Sequence, residues 1–311
     1  MTKGLKSRQW AWLALLVLFI AGGIALAYYF LRPQYRTPGR LAGLLPRSDA
    51  VLFYADVDAL RRSGFIQRLQ GAKSLEDPEY QRFIQETRFS YQNDLDALAV
   101  ASLPNQIFAA LRGHFDWRRL SEYALHQGGS CHNTYCQVPT GSPGRWLSFF
   151  PIRSNVMGLS ISSDPSAAYQ LLPRHGAPEI QVPAYAAWVI LPRRLLNAPK
   201  SLAPGAQIFA TALSSASQVT LGLTQDQSTG PQADLMLRLK ADCESAAKAE
   251  AAQHHLEQIT GMLKAVTSRD KSASSAPDIT GMLASGTFRA VNTSVEGFWP
   301  VSQEMVNSLL K

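Results

Sequence analysis

Between Trp10 and Leu31 the chain reads WAWLALLVLFIAGGIALAYYFL, 22 residues without a charge. No other feature constrains it so much. As a helix this run is about 33 Å long, matching a hydrocarbon core of about 30 Å. Trp10 and Trp12 stand at one end and Tyr28 and Tyr29 at the other, where amphipathic rings keep their bodies in lipid and their polar tips at the headgroups. These four residues are the expected membrane-interface anchors. A cleaved signal peptide competes with this reading, because Ala25-Leu26-Ala27 has a small-x-small cleavage form and Lys3, Lys6 and Arg8 make a basic start. Length favours an uncleaved signal anchor, since the apolar run passes well beyond the usual core of about 7 to 15 residues. A short basic tail (1–9) ahead of the span and a large domain after it predict a single pass through the cell inner membrane. The tail is then inside and the domain extracytoplasmic, facing the periplasm.

The net charge of +7 invites a nucleic-acid reading that its distribution removes. Residues 1–36 hold Lys3, Lys6, Arg8, Arg32 and Arg36 with no acid, leaving 25 Lys and Arg against 23 Asp and Glu. The expected partners are the lipid bilayer and an envelope protein, with no nucleic acid. At 46% hydrophobic and 17% charged, the whole chain is too apolar for a disordered polypeptide.

Residues 32–48 read as a linker rich in Arg, Pro and Gly. Beyond them strand and helix patterns alternate, predicting an α+β fold with mainly antiparallel sheets and packed helices. Ala50–Val57 is a strand feeding a helix, with Asp58 as its cap; Pro78–Thr87 is a second helix. LDALAVASL and QIFAALRGHF are strands, and Asp116 caps a helix through WRRLSEYALHQ. Short strands follow around Tyr135–Val138, Trp146–Pro151 and Val156–Ser162, and Asp164-Pro165 opens a further helix.

After a Pro-rich break at 173–183 a comparable order recurs. AAWVIL is a strand, QIFATALS (207–214) and QVTLGLTQ are strands, and ADLMLRLKA leads into a long helix from Cys243. ITGMLASGTFRAV and SVEGFWPV are strands, and SQEMVNSLLK is a last helix. LRGHFD at 111–116 and LRLKAD at 237–242 share Leu, Arg and Asp at one spacing. This predicts two similar halves, 49–175 and 184–311, an internal repeat in which Asp116 and Asp242 both cap helices.

No motif carries an activity. Cys131 and Cys136 in CHNTYC are spaced for a disulfide across a hairpin, which an oxidising compartment would keep. His132 between them lacks the further ligands that a zinc site needs. Cys243 at a helix start reads either as a thiol with a pKa lowered by the dipole or, more often, as a simply packed side chain. His254 and His255, adjacent on a helix, diverge by about 100° and cannot chelate one ion. Leu256, Ile259, Met262 and Leu263 should face the core. His114, His126 and His175 have no acidic partner in a motif.

Ser245-Ala-Ala-Lys248 fits S-x-x-K without the companion motifs of penicillin-recognising enzymes. Asp56 with Asp58, and Asp94 with Asp96, are explained by caps and turns. Neither a G-x-S-x-G elbow nor a phosphate loop occurs. No catalytic residue, cofactor or metal is expected. Trp117, Tyr123, Trp146, Phe149, Phe150, Trp188, Phe298 and Trp299 read mainly as core. Convergence of several on one face would make an apolar groove.

LLPRSDAVLFYADVDAL, behind a membrane helix, and GHFDWRRLSEYALHQGG resemble segments of uncharacterised bacterial envelope proteins. The resemblance implies an exported bacterial setting and no site residues. The expected role is binding or scaffolding at the cell envelope. The alternatives are an envelope hydrolase or acyltransferase with an unrecognised nucleophile, marked by a hydroxyl or thiol beside a base, and an apolar-ligand carrier, marked by an enclosed cavity.

Overall fold

The computed structural model describes residues 35–68, 78–173, 179–198, 204–225, 235–269 and 279–301. The span 10–31, its anchors Trp10, Trp12, Tyr28 and Tyr29, and the last helix at 302–311 lie outside them. Among the described residues no helix is long and apolar enough to cross a membrane.

The folding unit begins at Thr37. The stretch through Ser48 is therefore not all linker: a helical turn at Pro38–Ala42 buries Leu41 and Ala42 completely, and Leu45 follows at 4% exposure. Leu and Ala at that spacing favour a packed turn once a sheet is there to receive them.

Twelve strands form one antiparallel sheet: β1 (Val51–Asp56), β2 (Leu95–Ser102), β3 (Ile107–Gly113), β4 (Ser130–His132), β5 (Tyr135–Pro139), β6 (Trp146–Arg153), β7 (Val156–Ser162), β8 (Ala187–Pro192), β9 (Ala216–Gln225), β10 (Leu235–Cys243), β11 (Thr287–Val291) and β12 (Ser294–Val301). Their spatial order is β11-β12-β10-β9-β8-β1-β2-β3-β7-β6-β5-β4. The α+β class with a large antiparallel sheet is as the alternation predicts. The longer helices are α1 (Val57–Arg62), α2 (Pro78–Thr87), α3 (Trp117–His126), α4 (Pro204–Ala212), α5 (Ala246–Arg269) and α6 (Ile279–Ala284).

Register assigns the faces, because directly paired residues share one. The row Trp299, Leu237, Leu223, Ala187, Ala55, Leu98, Leu111, Met157 crosses eight strands. The helices pack on this front face. Leu120 and Ala124 of α3 meet Phe149 and Met157; Val57 and Leu60 of α1 meet Ala55 and Leu95; Ala249, Ala252 and Leu256 of α5 meet Leu239, Ala241 and Val295. The back row runs Phe298, Arg238, Gly222, Trp188, Tyr54, Ala99, Ala110, Gly158, Phe150. Its small residues let Pro38–Ala42 approach β1, β2 and β3, and a 3-10 turn at Ala167–Leu171 approach β3, β6 and β7.

The order is the same on each side of the β1–β8 pair. Outward from β1 it runs β2, β3, β7, β6; outward from β8 it runs β9, β10, β12, β11. Past β6 the β4–β5 hairpin covers the edge. Past β11 no strand follows among the described residues, and Gln253 of α5 accepts a hydrogen bond from the Ala290 N–H at 2.8 Å. A row of free edge N–H groups would otherwise template pairing with another chain.

Several local expectations are corrected. The α1 cap is Asp56, whose carboxylate accepts from Ala59 N at 2.8 Å; Asp58 instead pairs with Arg61 and Arg62. QIFATALS is helical, because Phe209, Ala212 and Leu213 are buried at i, i+3 and i+4 behind Pro204 at the first helical position. ITGMLA is α6, and only TFRAV is the strand β11. Asp164 accepts from Ser166 N and Oγ, and the turn that follows is 3-10.

Candidate functional site

The concave feature with an apolar lining lies between α4 and α5 on the front face. Ser245 starts α5: its Oγ accepts from Lys248 N at 3.3 Å and its carbonyl from Ala249 N at 3.1 Å. From there Ala249, Ala252 and Leu256 face the sheet, with Ile259 and Leu263 partly buried behind them. In α4 the same packing points Phe209, Ala210 and Ala212 inward. The outer shoulders diverge, leaving an open groove of about 580 Å³ walled by Ile208, Thr211, Ala251, Ile259 and Met262, with Ala212 and Ala252 beneath.

Its lip is apolar and wet: Ile208 is 48% and Met262 68% exposed. Met262 was expected in the core and is not there. It follows Leu256 by six residues, which turns it well away from the buried stripe. Reading α4 as a strand hides one wall of this groove from sequence reasoning, although Pro204 and the spacing of Phe209, Ala212 and Leu213 carry the signal.

At the α5 start, Lys248 Nζ sits on the Glu244 carboxylate, which also accepts from Arg193 at 2.8 Å. Hydrogen bonds from Lys248 and then Arg193 hold the Glu244 pKa below the usual carboxylate range. The S-x-x-K pair is thus a helix cap followed by an ion pair, with the hydroxyl accepting and the amine occupied. His255 lines the groove beside Lys248; His254 turns away to Gln258 at 3.0 Å.

Cys243 ends β10 rather than beginning a helix. Burial pushes its pKa up, opposite to the lowering expected of a thiol at a helix start. Asp242 is likewise in β10 and caps nothing. Its Oδ1 accepts from Ser294 Oγ and Lys240 Nζ, each at 2.8 Å, and these bonds carry its pKa down against the opposing effect of burial. Ser245 holds the capping position instead.

No solved structure identifies an activity for this groove, and neither the family models nor the curated proteins include a match. A likeness does exist at the level of the whole chain. TP0453 in its crystal form I superposes with a TM-score of 0.50 at 12% identity, covering 87% of this chain and 96% of that one. The fold is shared with TP0453. Crystal form III of the same protein gives 0.48 at 11% identity over 86% of this chain and 96% of that one.

Elsewhere, Cys131 and Cys136 are joined by a disulfide between directly paired residues of β4 and β5, with Cα atoms 4.1 Å apart. His126 has an acidic neighbour after all, Glu86 at 3.4 Å, brought from α2. Asp94 accepts from Ser90 N at 2.8 Å, and Asp96 faces Arg112 at 3.9 Å. Among the described residues no three His, Cys, Asp or Glu side chains are grouped to hold a metal ion. The aromatic residues divide between faces: Trp299 and Phe149 are buried at the front, Phe150 and Trp188 at the back. They do not converge on one groove.

Proposed function

We propose that this chain is a single-pass inner-membrane protein whose extracytoplasmic α+β domain binds or scaffolds a partner at the envelope through the α4–α5 groove. The observation that carries the reading is the open apolar groove with Ile208 and Met262 at its lip. Exposed apolar side chains rimming a concave surface mark interaction sites. The groove opens to solvent along its length, which favours docking over an enclosed carrier cavity. The amine in its lining, Lys248, is paired with Glu244, which disfavours it as the base of a hydrolase. The uncharged run 10–31 supports the membrane anchor, and the joined Cys131 and Cys136 support an oxidising compartment.

The domain is, on this reading, two copies of one unit. The supporting observations are paired. Asp56 ends β1 and Pro192 ends β8, each immediately before a helix. A bulge at Asp96 in β2 is matched by one at Ser217 in β9. Across these bulges Asp96 reaches Arg112, and Ser217 Oγ donates to the Asp242 carbonyl at 2.9 Å. Gly113 N donates to Asn155 O as Cys243 N does to Thr293 O, at 3.0 and 2.8 Å. This correspondence aligns Arg112 with Asp242, so LRGHFD and LRLKAD are out of register with it, and their similarity is not the trace of the repeat.

The test places a photo-crosslinking residue at Met262 in the full membrane-embedded chain, with Arg238 on the opposite face as control. Discrete adducts from Met262 and none from Arg238 are expected; equal labelling, or none, overturns the docking role. Protease digestion of intact spheroplasts tests the topology: a domain cleaved only after lysis is not extracytoplasmic.

A further inference from the structure

Helix α3 in the first half and α5 in the second begin alike. Asp116 accepts from Arg119 N and Leu120 N through its side chain and carbonyl, as Ser245 does from Lys248 N and Ala249 N. Counting on from these caps brings Tyr123 of α3 to Ala252 of α5. The Tyr123 ring fills the cleft between α3 and α2, meeting Phe83 edge to face at 5.2 Å, with Tyr80 and Phe89 packed on Phe83. In the second half the matching position carries only a methyl group, flanked by Ala212 and Ala251, and the cleft stands open.

We propose that the α4–α5 groove takes an aromatic side chain of a partner polypeptide, seated over Ala252 where the first half holds its own Tyr123. The inference rests on the docking role above and names its ligand chemistry. A site lined by Ile208, Ile259 and Met262 suits a ring, since a thioether against an aromatic edge adds to the burial itself. Aromatic anchors in such pockets dominate peptide and protein docking. Lys248 lines the groove already paired with Glu244, so the ring and not a charge selects the occupant, and the two probes that test it share one aspartate.

The experiment uses the full chain in lipid nanodiscs, labelled at methionine methyl groups, titrated with the blocked dipeptides acetyl-Asp-Trp-amide and acetyl-Asp-Leu-amide. The Trp dipeptide should move the Met262 methyl upfield by ring current and saturate, leaving Met236 on the opposite face unmoved. The Leu dipeptide should bind about tenfold more weakly. Ala252→Tyr, restoring the ring of the first half, should abolish the shift. Ile208→Lys, on the exposed lip and without effect on the buried stripe, should weaken binding about fivefold.

No saturable shift at Met262, or equal affinity for the two dipeptides, overturns the aromatic preference. Adducts from Met262 in cells alongside equal dipeptide affinities would overturn that preference while leaving the docking role standing. Absence of adducts would remove the docking role on which it rests.

Discussion

Phe53 and Val189 face each other across the antiparallel β1–β8 pair, and each lies three residues before the end of a strand that opens into a helix. On either side of this pair the sheet continues through β2 and through β9. Beside it Tyr54 stands opposite Trp188, their rings stacked at 5.5 Å and both at most 2% exposed. The sheet is therefore continuous through its middle, and the halves should not unfold separately. Trp188→Ala is expected to cost about 3 to 5 kcal/mol. Urea unfolding followed by fluorescence and by far-ultraviolet dichroism should still give one coincident transition; two transitions would show that the seam does not couple the halves.

Tyr54 carries a second consequence. Its hydroxyl is buried without a hydrogen-bond partner among the described residues. Burial first, and then the Asp56 carboxylate, raise its pKa from 10.0 to about 12 against the lowering effect of Arg112. Between pH 10 and 12 the folded chain keeps a proton that the unfolded chain has lost, so this stabilising term is complete below pH 10 and disappears as pH rises through the folded value. Tyr54→Phe should remove that alkaline loss. At neutral pH it should stabilise the domain by about 1 kcal/mol, because it deletes an unsatisfied buried group while keeping the ring. Denaturation midpoints at pH 8 and pH 11 measure both effects.

Strand periodicity was legible wherever alternation was clean, as in LDALAVAS, whose Leu95, Ala97, Ala99 and Ala101 are all buried. It misled at QIFATALS, where eight mostly apolar residues fit either period and the burial of Phe209, Ala212 and Leu213 against α5 decides for a helix. The spacing of Cys131 and Cys136 permitted a disulfide but left it open against two free thiols, since pairing depends on the β4–β5 register that sets them opposite each other. The groove could not, since it depends on what is missing at Ala252, and a missing ring is visible only beside Tyr123 in the folded arrangement. The local likeness of LRGHFD and LRLKAD does not carry one role into the fold: Asp116 caps α3, whereas Asp242 lies in β10 and caps nothing.

The disulfide closes a six-residue loop that holds the β4–β5 hairpin against α3, where Cys131 Sγ lies 3.7 Å from the Ser121 carbonyl and Cys136 is fully buried. By the loop-closure argument it contributes about 2 kcal/mol. Replacing both cysteines with alanine should lower stability by about that amount and make it independent of reductant, whereas the unaltered domain should weaken when dithiothreitol is added. Chemical denaturation with and without reductant distinguishes the two. Identical curves for the unaltered domain would mean that the hairpin is held by packing alone.

Gln253 guards the opposite edge. Its Oε1 accepts from the Ala290 N–H of β11, and it is held by Glu257 one turn on at 2.8 Å. Gln253→Ala would leave that edge amide to water and open β11 to pairing with another chain, since no further strand among the described residues covers it. The expected cost is about 1 kcal/mol in stability. A larger effect is expected on association: faster amide exchange at Ala290, and concentration-dependent oligomers by light scattering that the unaltered chain does not form. Gln253→Glu tests the sense of the bond, because a carboxylate can also accept from the amide and should restore protection there. If exchange at Ala290 is unchanged in the alanine variant, the edge is shielded by the bulk of α5 rather than by this one hydrogen bond.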